Sequence, residues 1–518
     1  MNWFRAPATT IPGLIELHAR WRGQRAAAIE GDRRFTWREF GEETARVANG
    51  LGALALKPGD RVALLMDSSL DMLALLFGIL RAGLSAVPLN VSVSDDAVAG
   101  MIADAGAAAL FVSSAHVKRI EKLIPHVGAV AHCIRVALDE EASGFIAYRR
   151  WIAAQPTGYQ SRVQPADECN IIYSSGTTGV PKGIVHTHAS RLSWAADLAV
   201  ALRYRSDCVT LLSLGLFSNI SWVAMLCTIY VGGTMVLMSH FEARETLALI
   251  AREKISHAAV VPLQLKRLLA QPASECDAFG SLDTWMCCGS PLDLEVKREF
   301  PKRFNMNLIE LYGLTEGLCT ILAPEDFKSK TASVGKPFLG TDLKIIDQFG
   351  REAPCGETGE VVGLSPLLMA GYHGNEPASR DATWEDVDGA RWLRTGDLGR
   401  LDADGFLYIV DRKKDMILSG GQNIYPADIE AVMTAHPGIA DVAVVGVENA
   451  EWGETPVAVI VRQAGATLSA EEVLTWTNER VGRQQRVRAA VFKEALPRNP
   501  NGKVLKRELK AQLKGLKL

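Results

Sequence analysis

Residues 173–183 read Tyr173-Ser-Ser-Gly-Thr-Thr-Gly-Val-Pro-Lys-Gly183, and this stretch is the strongest indication of the fold in the whole chain. Glycines let a backbone turn sharply, and the free N–H groups of such a turn form a concave anion site. Serine and threonine hydroxyls stand along the same loop, and Lys182 adds a point charge that suits phosphate. The pattern predicts a loop that holds a polyphosphate.

This loop differs from a Walker A loop. That pattern ends in Gly-Lys-Ser/Thr, whereas Lys182 follows Pro181 and precedes Gly183. An ordinary surface loop rich in Gly, Ser and Thr is the alternative. The apolar residues on both sides of the loop, Ile171–Ile172 and Ile184–Val185, read as strands and argue against that alternative.

Length, charge and cysteine usage narrow the class of protein. A chain of 518 residues exceeds one ordinary core, so two or more domains are expected. A net charge of −3 gives no argument for nucleic acid or an anionic membrane as a partner. The nine cysteines lack metal-ligand spacing, which predicts reduced thiols in a cytoplasmic protein. The first residues show no continuous apolar signal region.

Residues 208–239 carry no charged side chain, and this stretch is long enough to span a membrane. Polar residues and glycines interrupt the run. We therefore expect a buried strand (209–214), a loop, a buried helix (222–230) and another strand (234–238), and no membrane span.

The N-terminal part alternates between strand-like and helical patterns. Residues 61–66 read as a strand, 69–82 as a helix too apolar for the surface, and 85–89 as a second strand. This βαβ unit predicts a parallel sheet covered on both faces. Further strands are predicted at 108–112, 129–136, 258–261, 284–287 and 307–310. The predicted fold class is α/β, with a large N-terminal domain of stacked, mostly parallel sheets and helices.

A change of pattern near residue 412 predicts a small C-terminal α+β domain. Helices are expected at 426–435 and 470–481, the second opened by the capping box Ser469-Ala-Glu-Glu472. Strands are expected at 441–447, 457–461 and 489–492. We place the domains at residues 1–412 and 413–518.

Five further segments resemble the motifs of adenylate-forming enzymes, the superfamily of acyl-CoA synthetases, luciferases and peptide-synthetase adenylation domains. They occur in family order over nearly the whole chain: Ile309-Glu-Leu-Tyr-Gly-Leu-Thr-Glu316, Trp392-Leu-Arg-Thr-Gly-Asp397, Asp411-Arg-Lys-Lys-Asp415, Ser419-Gly-Gly-Gln-Asn-Ile-Tyr-Pro426 and Pro497-Arg-Asn-Pro-Asn-Gly-Lys503. Each alone is a weak to moderate signal, and together with the 173–183 loop they are a specific signature.

The resemblance implies an ATP site. Glu316 would bind Mg²⁺, Thr315 the α-phosphate, and Tyr312 would stack on adenine opposite the backbone of 289–291. Asp397 would accept both ribose hydroxyls, and Arg412 would donate nearby. The full set implied for ATP or AMP is Ser174, Ser175, Gly176, Thr177, Thr178, Gly179, Lys182, Gly289, Ser290, Pro291, Glu310, Leu311, Tyr312, Gly313, Thr315, Asp397 and Arg412.

The resemblance also implies two catalytic states. Lys503 would reach the substrate carboxylate and the α-phosphate during adenylation, assisted by Lys182, Thr315 and Glu316. The small domain would then rotate about Lys414. The loop holding Ser419, Gly420 and Gly421 would then face the nucleotide and pass the pantetheine arm of coenzyme A. His186 has no assigned role, and a packed or helix-starting role for His188 is as good as a functional one.

The acyl pocket departs from the family pattern. Ser218 takes the place of a common histidine, and Cys288 and Leu311 stand where many relatives have glycine. Together with Trp222, Gly313 and Leu318 they predict a short pocket. No Lys or Arg is evident in this predicted lining, which disfavours a dicarboxylate and favours a compact aromatic or short aliphatic monocarboxylate.

The function expected from these motifs is an ATP-dependent acid–CoA ligase that works through an acyl-adenylate. Its small-molecule partners would be the acid, ATP with Mg²⁺, and coenzyme A, with no tightly bound prosthetic group. A monomer or homodimer is expected. An adenylation enzyme loading a carrier protein in trans, a non-catalytic nucleotide-binding relative and a luciferase-type oxygenase stay open as alternatives.

Overall fold

The computed structural model describes residues 8–138, 142–174, 181–272, 279–419, 422–449, 452–498 and 502–514. Contacts within the chain divide it into two units. The first comprises Met1–Thr331, Pro337–Asp342 and Leu364–Thr383, and the second comprises Ala332–Lys336, Leu343–Gly363 and Trp384–Leu518. Because the second unit includes residues on both sides of position 412, the domain boundary expected there stays a prediction.

In the described residues the α-helices are α1 Ile11–Trp21, α2 Trp37–Ala53, α3 Leu70–Arg81, α4 Asp95–Ala105, α5 Ser114–Leu123, α6 Gly128–His132, α7 Tyr148–Ala153, α8 His188–Ala201, α9 Asn219–Val231, α10 Ala243–Glu253, α11 Pro262–Leu269, α12 Leu294–Phe304, α13 Glu376–Asp381, α14 Pro426–Thr434, α15 Ala470–Asn478 and α16 Lys506–Gln512. Short 3₁₀ helices occur at Pro324–Asp326 and Arg483–Gln485.

The strands of the same residues are β1 Ala26–Glu30, β2 Arg33–Thr36, β3 Arg61–Leu65, β4 Ser85–Pro88, β5 Ala109–Val112, β6 Ile134–Ala137, β7 Ile146–Ala147, β8 Glu168–Ser174, β9 Lys182–Thr187, β10 Val209–Leu212, β11 Thr234–Leu237, β12 His257–Val260, β13 Thr284–Cys287, β14 Asn307–Gly313, β15 Cys319–Leu322, β16 Lys336–Pro337, β17 Asp342–Ile346, β18 Gly359–Leu364, β19 Gly371–Tyr372, β20 Thr383–Glu385, β21 Arg391–Leu401, β22 Leu407–Arg412, β23 Ile417–Ser419, β24 Gln422–Ile424, β25 Ile439–Asn449, β26 Gly453–Arg462 and β27 Ala489–Lys493.

Two larger sheets build the first unit. One has the order β16-β15-β14-β13-β12-β10-β11-β1-β2, and the other β19-β9-β8-β4-β3-β5-β6-β7. Their central strands pair in parallel, and antiparallel pairs such as β14–β15 and β8–β9 lie toward the edges. The predicted α/β class with mostly parallel sheets is confirmed.

The predicted βαβ unit is present as β3-α3-β4, with β3 and β4 paired in parallel. Ser69 caps α3 by accepting a hydrogen bond from the N–H of Met72. Every residue of α3 is buried, as its apolar sequence predicted. The helix joins a core cluster that draws on both larger sheets, through residues such as Ala28 of β1 and Ala86 of β4.

One predicted strand is wrong. Residues 129–136 were expected to be extended, but 128–132 form the short helix α6 and the strand β6 begins only at Ile134. A short apolar run fits a buried helix as well as a strand, and here the N–H of Ala131 bonds back to the carbonyl of Val127.

The uncharged stretch at 208–239 folds as predicted into β10, α9 and β11. Ser218 caps α9, and Gly232, with φ +73°, ends it. No helix within the described part of the chain is long and apolar enough to cross a membrane.

The second unit contains two smaller sheets. One has the order β17-β18-β21-β20, with β22 added beside β21, and the other β24-β23-β26-β25, with β27 beside β26. The predicted capping box at Ser469 opens α15. The carboxylate of Asp411 accepts hydrogen bonds from the N–H groups of Ala427 and Arg412, which ties the end of β22 to the first turn of α14.

Candidate functional site: adenylate-forming motifs in two units

The two arms of the predicted phosphate loop are antiparallel strands. Ser174 at the end of β8 pairs with Lys182 at the start of β9. The predicted ligands between them, Ser175, Gly176, Thr177, Thr178 and Gly179, lie outside the described residues. The Lys182 ammonium lies 4.7 Å from the ring centre of Tyr372, a cation–π contact that holds it beside the loop.

Glu316, the predicted magnesium ligand, is held by the same tyrosine. The Tyr372 hydroxyl donates to Glu316 Oε1 at 2.9 Å, and burial together with this carboxylate raises the tyrosine pKa. Gly317 follows with φ +110°, and a Cβ there would lie 2.1 Å from the carbonyl oxygen of Leu367. Only glycine fits this close approach, which fixes the backbone beside Glu316. Tyr372 was not predicted, although the Gly371-Tyr372 pair follows an apolar run.

Thr315, the predicted α-phosphate partner, is supported by a buried histidine. His186 Nε2 lies 2.9 Å from the Thr315 carbonyl oxygen. Burial holds the pKa of His186 well below its usual value, so the ring is neutral and donates from Nε2 in this contact. His188 is the first residue of α8 and is buried, which lowers its pKa to about 4. The helix-starting alternative for His188 therefore fits its position.

The segment predicted for adenine comprises the end of β14 and the turn after β13. Tyr312 is half-buried at the end of β14. Gly289 is exposed with φ +97°, and Ser290 and Pro291 continue the same turn. Glu310, also predicted for ATP, is buried in an ion pair with Lys297 at 2.5 Å. This contact makes Glu310 a support for β14 through its side chain.

The predicted acyl residues are mostly buried together. Trp222, Cys288 and Leu311 belong to one core cluster, with exposed fractions of 0%, 8% and 6%. Ser218 caps α9, because its hydroxyl accepts a hydrogen bond from the N–H of Ile220. Leu318 is buried, whereas Gly313 is exposed.

Arg191 was missed by the sequence argument against a basic residue in this region. Its guanidinium lies 5.1 Å from the ring centre of Trp222 and donates from Nη1 to Asn219 Oδ1 at 2.9 Å. The arginine is fully buried, and its position depends on contacts with α9 and β8 that lie outside the local pattern of α8.

In the second unit, Asp397 and Arg412 face each other across β21 and β22. Their Cα atoms are register partners, and Arg412 Nε lies 3.0 Å from Asp397 Oδ1. Asp397 is 2% exposed, and its N–H donates to the Thr395 hydroxyl. The pair places an acidic acceptor beside a guanidinium donor, and these are the two residues predicted to bind the ribose hydroxyls.

Lys503 lies within the electrostatic reach of this pair. Burial first, and then the charges of Arg412 and Lys414, lower its pKa to about 8, against the opposing effect of Asp397 and Asp415. The lysine is half-buried. The predicted hinge residue Lys414 is exposed in the turn between β22 and β23. Its neighbour Lys413 is exposed and pairs with Glu360 at 2.9 Å.

The predicted coenzyme A loop is described only in part. Ser419 ends β23 and pairs with Gln422 of β24. Gly420 and Gly421 lie outside the described residues. Glu454 supports the strand before this loop, because its carboxylate accepts a hydrogen bond from the N–H of Leu418 and pairs with Lys510.

The side chains around Glu316 bear on its predicted role as a magnesium ligand. No cluster of three or more His, Cys, Asp or Glu that would form a protein cage for a metal occurs in the residues that the structure describes. Magnesium bound with nucleotide takes one or two carboxylates plus phosphate oxygens and water. A single positioned carboxylate fits that mode.

Comparison with known proteins shows the family. The profile of the AMP-binding enzyme family matches residues 15–373, and that of the AMP-binding enzyme C-terminal domain matches residues 428–503. The chain therefore belongs to the AMP-binding enzymes, the adenylate-forming class that its motifs resemble.

Named relatives cover nearly the whole chain. The long-chain-fatty-acid–CoA ligase FadD13 of Mycobacterium tuberculosis is 33% identical over 93% of each chain. The feruloyl-CoA synthase of an Amycolatopsis species is 32% identical over 95% of this chain and 96% of its own. The structure of o-succinylbenzoate CoA synthetase from Bacillus subtilis, in complex with the acyl-adenylate intermediate OSB-AMP, has a TM-score of 0.85 at 28% identity and covers 97% of this chain and 99% of that one.

Proposed function

We propose that this AMP-forming acid–CoA ligase acts on a compact carboxylic acid, with Lys503 as the adenylating lysine and Asp397 and Arg412 as the ribose site. In the first half-reaction a carboxylate oxygen attacks the α-phosphorus of ATP, and pyrophosphate leaves. In the second, the thiol of coenzyme A attacks the acyl carbon, and AMP leaves with the thioester formed.

The observation that carries the proposal is the environment of Lys503. A lysine in the electrostatic field of Asp397 and Arg412 is placed in the same neighbourhood as the predicted ribose site. Its ammonium offsets negative charge that builds as carboxylate and phosphate are brought together, which is the kind of stabilisation that lowers such a barrier most.

The first unit supports a role for Lys182 and Glu316 at the phosphates. Tyr372 contacts both side chains, so the cation and the carboxylate are fixed relative to each other. Glu316 would hold Mg²⁺ together with phosphate oxygens and water, and the ion would supply charge neutralisation on the phosphates. Lys182 would bind phosphate oxygens directly as a point charge.

The compact pocket is supported by burial of Trp222, Cys288 and Leu311 in one cluster. Bulky side chains packed at interior density leave little room for a long acyl chain. The names of the relatives include a long-chain fatty acid and ferulate, so they do not indicate which acid this enzyme uses. The monocarboxylate stays a prediction from the sequence, and because Arg191 lies beside Trp222 the proposal here concerns the size of the acid alone.

The test is pyrophosphate release across a panel of acids, with and without coenzyme A, coupled to measurement of AMP and thioester. We expect benzoate-sized and short-chain acids to exceed long fatty acids, and thioester to form in step with AMP only when coenzyme A is present. Strong activity on a long-chain fatty acid would contradict the compact pocket. AMP formation with no coenzyme A thioester would contradict the acceptor.

A further inference from the structure

Arg191 is a buried cation with unused hydrogen-bonding capacity. Its side chain lies on α8 and has no exposed surface. Nε donates to Asn170 Oδ1 at 2.8 Å and Nη1 donates to Asn219 Oδ1 at 2.9 Å, but Nη2 has no partner. The partners that it does have are neutral amides, and the described residues supply no acidic side chain to pair with it.

A second buried hydrogen-bond donor next to Arg191 also lacks a partner. Asn170 Nδ2 is buried on β8 without a hydrogen-bond partner. Because Asn170 Oδ1 already holds Arg191 Nε, the two vacant donors belong to side chains in direct contact. Each unsatisfied buried donor carries a desolvation cost, and a buried cation without an anion carries a larger one. Burial lowers the pKa of Arg191 to about 9, which still leaves the guanidinium protonated near neutrality.

Packing alone does not explain this arrangement. The guanidinium lies between the rings of Trp194 and Trp222, at 5.5 and 5.1 Å from their centres. A neutral side chain of similar length would fill the same space without burying a charge, and replacing buried charges by apolar groups is often neutral or stabilising. An acceptor that completes the two free donors would account for keeping an arginine.

Arg191 lies next to residues of the proposed acyl pocket. Asn219 and Trp222 both lie on the first turn of α9, and Trp222 is one of the proposed acyl-pocket residues. On the other side, Trp194 contacts the ring of His186, whose Nε2 meets the carbonyl oxygen of Thr315. The guanidinium therefore contacts a proposed acyl-pocket residue directly, whereas its link to the Thr315 backbone passes through both Trp194 and His186.

We propose that Arg191 and Asn170 receive a second carboxylate, carried by the acid substrate at the end remote from the reacting carboxyl group. This rests on the proposed function and narrows its substrate class to compact dicarboxylic acids. Arg191 Nη2 and Asn170 Nδ2 each donate to an oxygen of that carboxylate, whose charge replaces the missing counter-ion. The two tryptophans shield the pair from water.

The test uses pairs of acids that differ only in the charge of the far group: succinate and succinamate, glutarate and glutaramate, terephthalate and 4-carbamoylbenzoate. AMP formation with coenzyme A is measured for the full-length wild type. We expect at least one dicarboxylate to exceed its amide partner in kcat/KM by about ten- to a hundredfold, the value of a hydrogen-bonded charge. Arg191→Met should abolish or reverse that preference, and Arg191→Lys should keep part of it.

Asn170→Asp is the second variant, since it places a carboxylate against Arg191 and completes the ion pair within the protein. It should fold at least as stably as the wild type and lose the preference for dicarboxylates. Trp194 and Trp222 give a readout without catalysis: succinate, glutarate or terephthalate, and not the matched amide, should change the tryptophan fluorescence of the wild type and not of Asn170→Asp.

Equal or better use of the amide in every pair overturns this inference, as does a dicarboxylate preference that persists in both Arg191→Met and Asn170→Asp. Either result leaves the ligase function standing if other acids in the wider panel support thioester formation. Failure of every acid to release pyrophosphate overturns the proposed function itself, and the substrate class with it.

Discussion

The hydroxyl of Tyr372 donates a hydrogen bond of 2.9 Å to Glu316 Oε1. The same ring lies 4.7 Å from the Lys182 ammonium. One side chain therefore sets the separation between a cation and a carboxylate that would both act on the phosphates of ATP. We therefore predict that Tyr372 is a positioning residue, which acts through Glu316 and Lys182 without touching substrate.

Tyr372→Phe should keep the cation–π contact and remove the bond to Glu316. We expect adenylation to fall by about tenfold or more, because a hydrogen bond to a charged group contributes about 1.5–3 kcal/mol. The Mg²⁺ concentration needed for half-maximal rate should rise, which a purely structural role would not change. Pyrophosphate release across a Mg²⁺ titration measures both effects.

Tyr408→Phe is the matched control, since Tyr408 also donates to a carboxylate, Asp402, but in a strand with no proposed phosphate contact. It should leave the Mg²⁺ dependence unchanged. An unaltered Mg²⁺ titration in Tyr372→Phe would mean that Glu316 is held by the backbone alone.

The pH dependence of adenylation should follow Lys503. Its pKa is lowered to about 8, so the ammonium is present below that pH and is lost as the pH rises through it. The kcat/KM of the adenylation half-reaction should therefore decline above about pH 8. Lys503→Arg, which keeps its charge, should retain part of the activity and lose this alkaline decline.

Lys503→Ala supplies the complementary result. Adenylation should be abolished while thioester formation from supplied acyl-adenylate stays nearly normal, because the lysine is proposed to serve only the first half-reaction. The two half-reactions are assayed separately. Near-normal adenylation by Lys503→Ala, or an alkaline decline that survives in Lys503→Arg, would remove Lys503 from its proposed role.

Asp397→Asn should raise the KM for ATP more than the KM for the acid. The substitution keeps the shape of the side chain but removes a charged acceptor for the ribose hydroxyls, and such bonds contribute about 1.5–3 kcal/mol each. Initial-rate kinetics with each substrate varied in turn gives both constants. Glu360→Gln is the control, because Glu360 pairs with Arg394 and Lys413 in the same sheet and has no proposed contact with nucleotide. If Asp397→Asn changes only the KM for the acid, the ribose site is misplaced.

Local sequence determined much of this fold. The apolar run of α3 predicted its burial, and the uncharged stretch from 208 to 239 predicted β10, α9 and β11. Both cases depend on periodicity and caps within a single element. The run at 129–136 failed because its few apolar residues suit a buried helix turn as well as a strand.

The residues that sequence missed depend on contacts between distant segments. Tyr372 lies 56 positions after Glu316, and the pairing of β19 with β9 brings it to the phosphate loop. Arg191 looks like an ordinary helix residue until Asn170 of β8 and Asn219 of α9 enclose it. No local pattern reports such enclosure, since long charged side chains on helices usually reach solvent.

Removing one partner of the Lys297–Glu310 ion pair should lower the free energy of unfolding more than replacing both partners with apolar residues. Both side chains are nearly buried, and burial raises the pKa of Glu310 against the lowering effect of Lys297. Lys297→Met alone should destabilise the fold by about 3–5 kcal/mol, because it leaves a buried carboxylate unpaired. Lys297→Met combined with Glu310→Met should recover most of that loss. Urea unfolding measures the difference.

An exposed ion pair gives the loss of stability against which the buried pair is compared. Arg380 and Glu376 lie on α13 with side chains that are mostly exposed, so Arg380→Met should cost no more than about 0.5 kcal/mol. A double variant as unstable as Lys297→Met alone would show that the hydrogen bond from Lys297 to the Thr331 carbonyl, and not the ion pair, stabilises this region.

Leu311→Gly should allow the enzyme to accept longer acids. Leu311 is 6% exposed and packs in the cluster that holds Trp222 and Cys288, so removing its side chain leaves space that a longer or bulkier acid can fill. The ratio of kcat/KM for octanoate to that for butyrate should rise in the pyrophosphate assay. Leu308→Ala is the matched control: Leu308 is buried on the same strand but in a different core cluster, so it should lose comparable stability and leave the ratio unchanged. A wild type that already prefers octanoate, or an equal change in both variants, would show that Leu311 does not limit the pocket and that the acyl group lies along another path.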